Sequence, residues 1–311
     1  MQYYDRDTVA RALPYDRLID AIEEAFRRDA TVPQRAHHRV EVPGAADATL
    51  LMMPAWRAGE ALGVKIATVY PDNGNRALPA VYASYLLLDA STGEPRAIFD
   101  GSELTLRRTA ASSALASRYL SRADASKFLM VGTGKLAPHL IAAHSVVRSI
   151  DEVMIWGRRR QAAQNLAVSL GSHPCAVTVV DDLEEAVAGS DIVSCATLAT
   201  EPLIRGKWLH AGQHLDLVGA FRPDMREADA DAIVRADVYV DTLAGATKEA
   251  GDIVQAIESG ELEEESIVGD LFALTRGTCR RRESPTAITL FKSVGTALED
   301  LAAAELAAAG R

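Results

Sequence analysis

Residues 128–137, with the sequence Phe-Leu-Met-Val-Gly-Thr-Gly-Lys-Leu-Ala, restrict the possible folds more than any other segment of the chain. An apolar run typical of a buried strand leads into a G-x-G-x-x-A motif and then into a helix-like segment. Gly132 permits a tight turn, Gly134 lets the backbone approach a pyrophosphate, and the small Ala137 permits close helix–strand packing. The free amides of the helix N-terminus favour a phosphate anion. The motif therefore predicts a dinucleotide-binding loop with contacts from Gly132, Thr133, Gly134, Leu136 and Ala137.

The end of the next predicted strand carries three consecutive arginines, Arg158, Arg159 and Arg160. In dinucleotide-binding folds an Asp or Glu at this place holds the ribose 2′-hydroxyl of NAD, and this segment contains neither. Guanidinium groups bind phosphate through paired hydrogen bonds, so the run favours NADPH over NADH. The alternative interpretation is a solvated run of charge at the start of a helix, which would leave NADH as a cofactor.

The first third of the chain has the pattern of an antiparallel sheet with helices beside it. Residues 14–29 predict an amphipathic helix with Leu18, Ile19, Ile22 and Phe26 on one face. Turn-forming residues separate short apolar runs, which predicts a largely antiparallel sheet. These runs are 49–53, 64–69, 80–88 and 96–99, and a helix over 103–120 follows.

From residue 127 onward, apolar runs alternate with helix-length segments. The runs are 128–131, 153–156, 177–180, 192–196, 215–218 and 238–240, with a last strand at 288–291 and a helix over 294–309. Such alternation predicts a parallel sheet covered on both faces. The expected class is therefore α/β, with a doubly wound (Rossmann) parallel sheet inserted into an α+β domain.

Composition excludes several classes of function. The net charge of -10 argues against nucleic acid as a partner, because phosphate backbones require a basic face. Cys175, Cys195 and Cys279 are far apart without metal-ligand spacing, so we expect no metal site and reduced thiols. The first residues lack the pattern of a signal peptide, and no apolar run is long enough to span a bilayer. We therefore expect a cytoplasmic protein without a membrane partner.

Three basic residues lie in otherwise apolar surroundings. Arg39 lies in the strand after the first helix, Lys65 is flanked by apolar strand residues, and Arg108 lies in an apolar helix. A charge in such surroundings needs a partner or a ligand, and a substrate carboxylate would be one. The pattern alone leaves surface charges and structural ion pairs as alternatives.

The order of motifs along the chain resembles that of the ornithine cyclodeaminase/mu-crystallin family. The resembling segments are 52–54 (Met-Met-Pro), 63–65 (Gly-Val-Lys), 71–73 (Pro-Asp-Asn), 102–105, 108–111, 131–134, 218–227 and 291–295. They occur in collinear order over nearly the whole chain, so coincidence is not a reasonable explanation.

The resemblance implies a homodimer with two domains. Residues 1–119, completed by the C-terminal helix 295–311, would form a substrate-binding and dimerisation domain, and residues 120–294 the NAD(P)-binding Rossmann domain. It also implies that Arg39, Lys65 and Arg108 hold the substrate carboxylate. Met53 and Val294 are further implied neighbours of the substrate. Implied neighbours of the cofactor are Thr109, Thr197, Val218, Lys292 and Ser293, although Lys292 could equally be a surface lysine.

Two departures from the family pattern bear on the reaction. Ornithine cyclodeaminases carry a catalytic Asp where this chain has Phe221, and a Glu where it has Leu51. Without these carboxylates a distal amine has neither an anionic site nor a base. The chain is more similar to the family's reductases of cyclic imino acids, and an apolar Phe221 beside a flat uncharged ring is physically reasonable.

The predicted reaction is therefore NAD(P)H-dependent reduction of a small cyclic imino acid, Δ1-pyrroline-2-carboxylate to L-proline or Δ1-piperideine-2-carboxylate to L-pipecolate. Lys65 or a water would supply the proton. Ornithine cyclodeaminase and alanine dehydrogenase activities of the same family remain alternatives. A mu-crystallin-like protein that binds NADPH without turnover is an alternative of another class.

Overall fold

The computed structural model describes residues 1–76, 78–171 and 174–310. The chain divides into two compact units. Unit 1 comprises Met1–Thr109 and the described residues from Thr296 onward, and unit 2 comprises Ala110–Gly295. The division falls within one long helix, ten residues before the domain boundary between residues 119 and 120 that the family resemblance implied.

The strands of the described residues are, in chain order, β1 (Gln2–Tyr4), β2 (Ala36–Val40), β3 (Ala48–Arg57), β4 (Ala61–Val69), β5 (Val81–Leu88), β6 (Pro95–Asp100), β7 (Lys127–Val131), β8 (Glu152–Trp156), β9 (Ala176–Val179), β10 (Ile192–Cys195), β11 (His214–Leu217), β12 (Asp237–Val240), β13 (Gly269–Asp270) and β14 (Thr289–Lys292). The α-helices are α1 (Arg6–Ala12), α2 (Tyr15–Arg27), α3 (Gly101–Leu120), α4 (Ala137–Val147), α5 (Arg160–Ser169), α6 (Leu183–Ala188), α7 (Ala230–Val234), α8 (Leu243–Glu249), α9 (Gly251–Glu258), α10 (Leu271–Arg276) and α11 (Ala297–Ala309).

Unit 1 is built on a sheet of order β1-β6-β5-β4-β3-β2. Its pairs are antiparallel except for β1, which runs parallel to β6, so the predicted antiparallel sheet is confirmed. One face carries α11, which contacts β3, β4 and β5 and also packs against α2. The predicted apolar face of α2, which includes Leu18, Ile22 and Phe26, is completely buried.

The opposite face of this sheet presents apolar side chains to solvent. Met52 pairs with Ile66 across β3 and β4, and these side chains are 40% and 41% exposed. Tyr82 on β5, opposite Thr68, is 46% exposed. Side chains alternate between the faces of a strand, so Met53 and Lys65, which also pair, point to the α11 face and are buried.

Unit 2 is built on a sheet of order β13-β12-β14-β11-β10-β7-β8-β9, in which neighbouring strands of the described residues run parallel to each other. Each strand predicted in this part of the chain is present, which confirms the α/β class. The chain order reverses next to β7, between β8 on one side and β10 on the other. Ligands of doubly wound sheets bind at the carboxyl ends of the strands at such a switch point.

The chain ends pack into unit 1 by elements that the sequence analysis did not fully delimit. β1 and α1 were not predicted, and α11 begins at Ala297 rather than at residue 294. Thr296 caps this helix and forms a capping box with Glu299, which sets its start. No helix in the described part of the chain is long and apolar enough to cross a membrane.

Candidate functional site

The turn after β7 requires glycine for two independent reasons. Gly132 has a φ of 121°, a conformation that disfavours side chains, and a Cβ there would lie 2.6 Å from the carbonyl oxygen of Ala196. The Gly132 amide donates a hydrogen bond to the Trp156 carbonyl at 3.0 Å, which ties the turn to β8. The first glycine of the motif thus has the role expected from the sequence.

The rest of the loop fits a pyrophosphate. A Cβ on Gly134 would meet no atom within 4 Å, so the backbone here faces open space. Leu136 is the N-cap residue of α4, and Ala137, the first residue of that helix, is 1% exposed. A Cβ on Gly157 would lie 2.7 Å from the Thr133 methyl group, so a larger residue there would press on the loop. An exposed glycine at the N-terminus of a helix matches what a dinucleotide requires.

The three arginines after β8 are not equivalent. Arg160 forms an ion pair with Asp181. Arg158 and Arg159 are exposed, and neither has an ion pair or side-chain hydrogen bond within the described residues. Two guanidinium groups therefore lie just after β8 without an anionic partner among the residues that the structure describes.

The carboxyl ends of β10, β11 and β14 bring together other predicted cofactor neighbours. The Val218 amide donates to the Cys195 carbonyl at 2.8 Å, and the Ser293 amide donates to Leu217 at 3.2 Å. The Ser293 hydroxyl is buried and has no partner in the described structure. A buried hydroxyl without a partner is costly, and a cofactor amide would satisfy it. The residues present thus fit a nicotinamide dinucleotide.

Lys292 is fully buried, so it is not a surface lysine. Its ammonium lies 3.0 Å from Asp252 Oδ2 and donates to the Gly219 carbonyl. Asp252 in turn accepts hydrogen bonds from the amides of Glu227 and Ala228, at 2.8 and 3.0 Å. The lysine therefore holds the loop after β11 from inside the unit.

Glu227 belongs to the same buried network. Its Oε1 accepts hydrogen bonds from both the amide and the hydroxyl of Thr197, at 2.7 and 2.8 Å. Burial raises the pKa of Glu227 to about 7, against the opposing effect of Lys292. The amide and hydroxyl of Thr197 are thus engaged by Glu227. Neither Glu227 nor Asp252 was singled out from the sequence.

Phe221 follows a strained residue in the loop at the carboxyl end of β11. Ala220 has a φ of 48°, which is rare for a residue with a side chain, and Gly251 donates to its carbonyl at 2.9 Å. Phe221 is 45% exposed despite its aromatic ring. Strained backbone beside an exposed aromatic side chain is typical of a ligand-contacting position. Val294, also predicted here, is half-buried, and its amide donates to Asp241 at 2.8 Å.

Unit 1 contains a buried ion cluster made of Lys65, Arg108, Glu299 and Asp300. Lys65 lies on β4, Arg108 on α3, and the two acids in the first turn of α11. Lys65 Nζ lies 2.7 Å from Asp300 Oδ2, and Arg108 Nε donates to Asp300 Oδ1 at 2.9 Å. Arg108 Nη1 donates to Glu299 Oε2. All four side chains are at most 6% exposed. Thr109, the next residue of α3, is half-buried.

Burial and the neighbouring charges together shift the pKa of Lys65. Burial lowers the pKa of Lys65 to about 8, with further lowering by Arg108 and Arg35 and an opposing effect of Asp300. Met53 pairs with Lys65 across β3 and β4 and is 3% exposed. An ammonium with this pKa can exchange a proton near neutral pH.

Arg35 is a further charged residue near Lys65, and the sequence analysis did not identify it. Arg35 directly precedes β2, whose first residue, Ala36, pairs with Met52, and the charge of Arg35 lowers the pKa of Lys65. Arg39 pairs with Thr49, which lies four residues before Met53, near the start of β3. Its side chain is 74% exposed and forms an ion pair with Asp47. The structure does not bring Arg39 to the ion cluster, because β2 carries it away along the sheet edge.

Comparison with known proteins identifies the family. A model of the ornithine cyclodeaminase/mu-crystallin family matches residues 4–308. The Delta(1)-pyrroline-2-carboxylate reductase of Colwellia psychrerythraea is 38% identical over 309 residues, which cover 98% of this chain and 97% of that protein.

Two solved structures cover the chain as fully. One is Thermococcus litoralis Delta(1)-pyrroline-2-carboxylate reductase in complex with NADH and L-proline, with a TM-score of 0.92, 33% identity, and coverage of 99% of this chain and 96% of its own. The other is an archaeal alanine dehydrogenase dimer with bound NAD, with a TM-score of 0.92, 28% identity, and coverage of 100% and 95%. The resemblance found in the sequence is confirmed, and the chain belongs to the ornithine cyclodeaminase/mu-crystallin family.

Proposed function

We propose that this protein is an oxidoreductase that reduces cyclic imino acids, Δ1-pyrroline-2-carboxylate to L-proline and Δ1-piperideine-2-carboxylate to L-pipecolate. The observation that carries the proposal is the buried ion cluster, in which Lys65 and Arg108 are held on the same side of one sheet. The names of the relatives at 38% and 33% identity support the same reaction.

The substrate carboxylate is bound by Lys65, Arg108 and Arg35. A carboxylate is bound most strongly by charge-assisted hydrogen bonds from buried cations, and Arg adds a planar pair of donors. Arg35 takes the place that the sequence analysis gave to Arg39, because Arg35 acts on Lys65 whereas Arg39 is exposed and paired with Asp47. Met53 supports Lys65 from the neighbouring strand.

Lys65 also supplies the proton for the imine nitrogen. A lysine with a pKa of about 8 is still largely protonated at pH 7 but releases its proton more readily than an ordinary lysine. The bound cofactor supplies the hydride for the imine carbon. Lys65 would then recover its proton from solvent.

Unit 2 binds the cofactor, which we propose to be NADPH in preference to NADH. The pyrophosphate contacts are assigned to Gly132, Thr133, Gly134, Leu136 and Ala137. Arg158 and Arg159 would bind a 2′-phosphate, since they lack a protein anion in the described structure, whereas Arg160 is paired with Asp181. Thr109, Thr197, Val218, Lys292 and Ser293 are assigned to the neighbourhood of the cofactor, with Lys292 acting through the Gly219 carbonyl.

Phe221 favours reduction of a ring over cyclisation of ornithine. It offers an apolar surface where a cyclodeaminase would need a carboxylate, and we assign it with Val294 to contacts with the substrate ring. Alanine dehydrogenase activity is the second candidate, because one structural relative with a TM-score of 0.92 bears that name.

We further propose a homodimer formed through the uncovered face of the sheet in unit 1. Met52, Ile66 and Tyr82 form an exposed apolar patch on this face, and such patches mark interaction surfaces. One structural relative is a dimer. Light scattering of the wild type and of Ile66→Glu tests this: a dimer that the substitution dissociates supports it, and a wild-type monomer contradicts it.

The reaction is tested by following NADPH oxidation with three substrates side by side. Pyrroline-2-carboxylate and piperideine-2-carboxylate should be reduced far more efficiently than pyruvate with ammonia. A higher kcat/KM for pyruvate with ammonia would support the alanine dehydrogenase alternative instead. Binding of NADPH without turnover of any substrate would indicate a non-catalytic binding protein.

A further inference from the structure

One carboxylate from the C-terminal helix bridges the two cations of the buried ion cluster. Asp300 uses Oδ2 for Lys65, at 2.7 Å, and Oδ1 for Arg108, at 2.9 Å. The Asp300 side chain is completely buried, and it joins β4 and α3 through a single group on α11. Because each oxygen of the Asp300 carboxylate contacts a different cation, this carboxylate sets the distance between the two cations.

The bridge opposes the repulsion between the cations it joins. Burial lowers the pKa of Lys65 most, and Arg108 and Arg35 lower it further, whereas Asp300 raises it. Conversely, Arg108 and Lys65 hold the pKa of Asp300 below its ordinary value despite burial. Asp300 therefore remains an anion and limits the loss of the Lys65 proton.

The other titratable groups around Lys65 have separate roles. Glu299 binds Arg108 Nη1 and also accepts a hydrogen bond from the Thr296 amide at 3.5 Å, so it secures the arginine and the start of α11. Tyr85 pairs with Lys65 on β5, and burial raises the pKa of its phenol well above the ordinary value, so it stays neutral. Asp300 is thus the anion that contacts the Lys65 ammonium in the described structure.

We propose that Asp300 is a positioning residue that fixes Lys65 and Arg108 for a carboxylate substrate and keeps the Lys65 ammonium charged for proton donation. This inference rests on the proposed function for its substrate and on the geometry of the ion cluster for its effect on Lys65. It gives the C-terminal helix a role in the reaction through Asp300, which contacts Lys65 and Arg108.

The first test is the pH profile of kcat/KM for pyrroline-2-carboxylate in Asp300→Asn. In the wild type, kcat/KM should fall as the pH rises through about 8, because Lys65 loses the proton that it donates. Removal of a contacting anion should move this descending limb to lower pH by about 1–3 units. Asp300→Glu keeps the charge but displaces it, so it should restore the limb while kcat/KM stays below that of the wild type.

Glu305→Gln is the matched control. Glu305 lies on the same helix and pairs with Arg57 of β3 at 2.5 Å, and it forms no ion pair with Lys65 among the described residues. Loss of the Glu305 charge should lower Tm without shifting the descending limb of the pH profile of kcat/KM. The inference would be overturned if the descending limb of the pH profile stayed at the wild-type pH in Asp300→Asn. It would also be overturned if the limb shifted equally in Glu305→Gln.

A second measurement needs no substrate. The chain has six lysines, so the Lys65 side chain can be followed by NMR in protein labelled at lysine and assigned with Lys65→Arg. Its titration midpoint should fall in Asp300→Asn and stay unchanged in Glu305→Gln. A shift in a protein that does not reduce the imine would support the role of Asp300 and contradict the proposed substrate. An unchanged midpoint would contradict the role of Asp300, whatever the substrate.

Discussion

In unit 2 the ammonium of Lys292 lies 3.0 Å from the carboxylate of Asp252, and neither side chain is exposed to solvent. The pair connects β14 to α9 and extends to the loop after β11 through the Gly219 carbonyl. Buried ions are tolerated only when they are paired, so each of these residues depends on the other. The network thus holds the loop that leads to Phe221.

Lys292→Met should destabilise the protein by about 3–5 kcal/mol, because it leaves Asp252 as an uncompensated buried charge. The fall in Tm and in the urea midpoint would measure this. The exposed Lys248 on α8 provides the control, and Lys248→Met should change stability by less than about 0.5 kcal/mol. A double variant, Lys292→Met with Asp252→Asn, should recover part of the loss. Equal effects of the two single lysine substitutions would contradict this assignment.

The fold was predictable from the sequence wherever the spacing of hydrophobic residues clearly indicated a strand or a helix. The alternating strands and helices after residue 127 bury both faces of a parallel sheet, so each strand appears as an apolar run. β1 and α1 were not predicted because a three-residue strand and a seven-residue helix are too short to show a period.

The candidate site was predictable only in part, because register and depth of burial are properties of the folded chain. The choice between Arg35 and Arg39 depends on where β2 meets β3, which nothing in residues 35–39 indicates. Glu299 and Asp300 lie in a segment that shows only the composition of a good helix, and their burial follows from packing against β4 and α3. Two adjacent acids near the start of a largely apolar helix, which contains Glu305 as its one other acid, were the available signal.

Arg158→Ala and Arg159→Ala should each weaken the preference for NADPH over NADH. The loss of a charge-assisted contact to the 2′-phosphate should cost about 1.5–3 kcal/mol in NADPH binding and little in NADH binding. Arg160→Ala is the internal control, since its guanidinium is paired with Asp181. The ratio of Kd values for NADPH and NADH measures the effect. A ratio unchanged by all three substitutions would contradict NADPH preference through this arginine run.

Substitution of the cations of unit 1 should affect the substrate and spare the cofactor. Lys65→Ala, Arg108→Ala and Arg35→Ala should each reduce kcat/KM for the imino acid at least tenfold, about 1.4 kcal/mol of transition-state stabilisation. The Kd for NADPH should stay within about twofold, a change of roughly 0.4 kcal/mol. Arg39→Ala, which removes an exposed partner of Asp47, should leave both parameters unchanged. Equal losses in Arg35→Ala and Arg39→Ala would contradict the preference for Arg35.

Phe221→Asp should weaken reduction of the ring, because it places a charge that needs solvation against an apolar substrate. Phe221→Leu keeps an apolar side chain and should retain most of the activity. No cyclodeaminase activity should arise in Phe221→Asp, since Leu51 still stands where the second carboxylate would be needed. Ammonia release from L-ornithine by the wild type or by Phe221→Asp, at a rate comparable to imine reduction, would contradict the reductase assignment.

The most direct test of the account follows the transferred hydrogen. The wild-type protein is incubated with pyrroline-2-carboxylate and NADPH that carries deuterium at C4 of the nicotinamide, on one face or the other. The account predicts that one of the two preparations yields L-proline with deuterium at C2, in a ratio of one proline to each NADPH oxidised. Formation of no proline, or of proline without deuterium from either preparation, would contradict it.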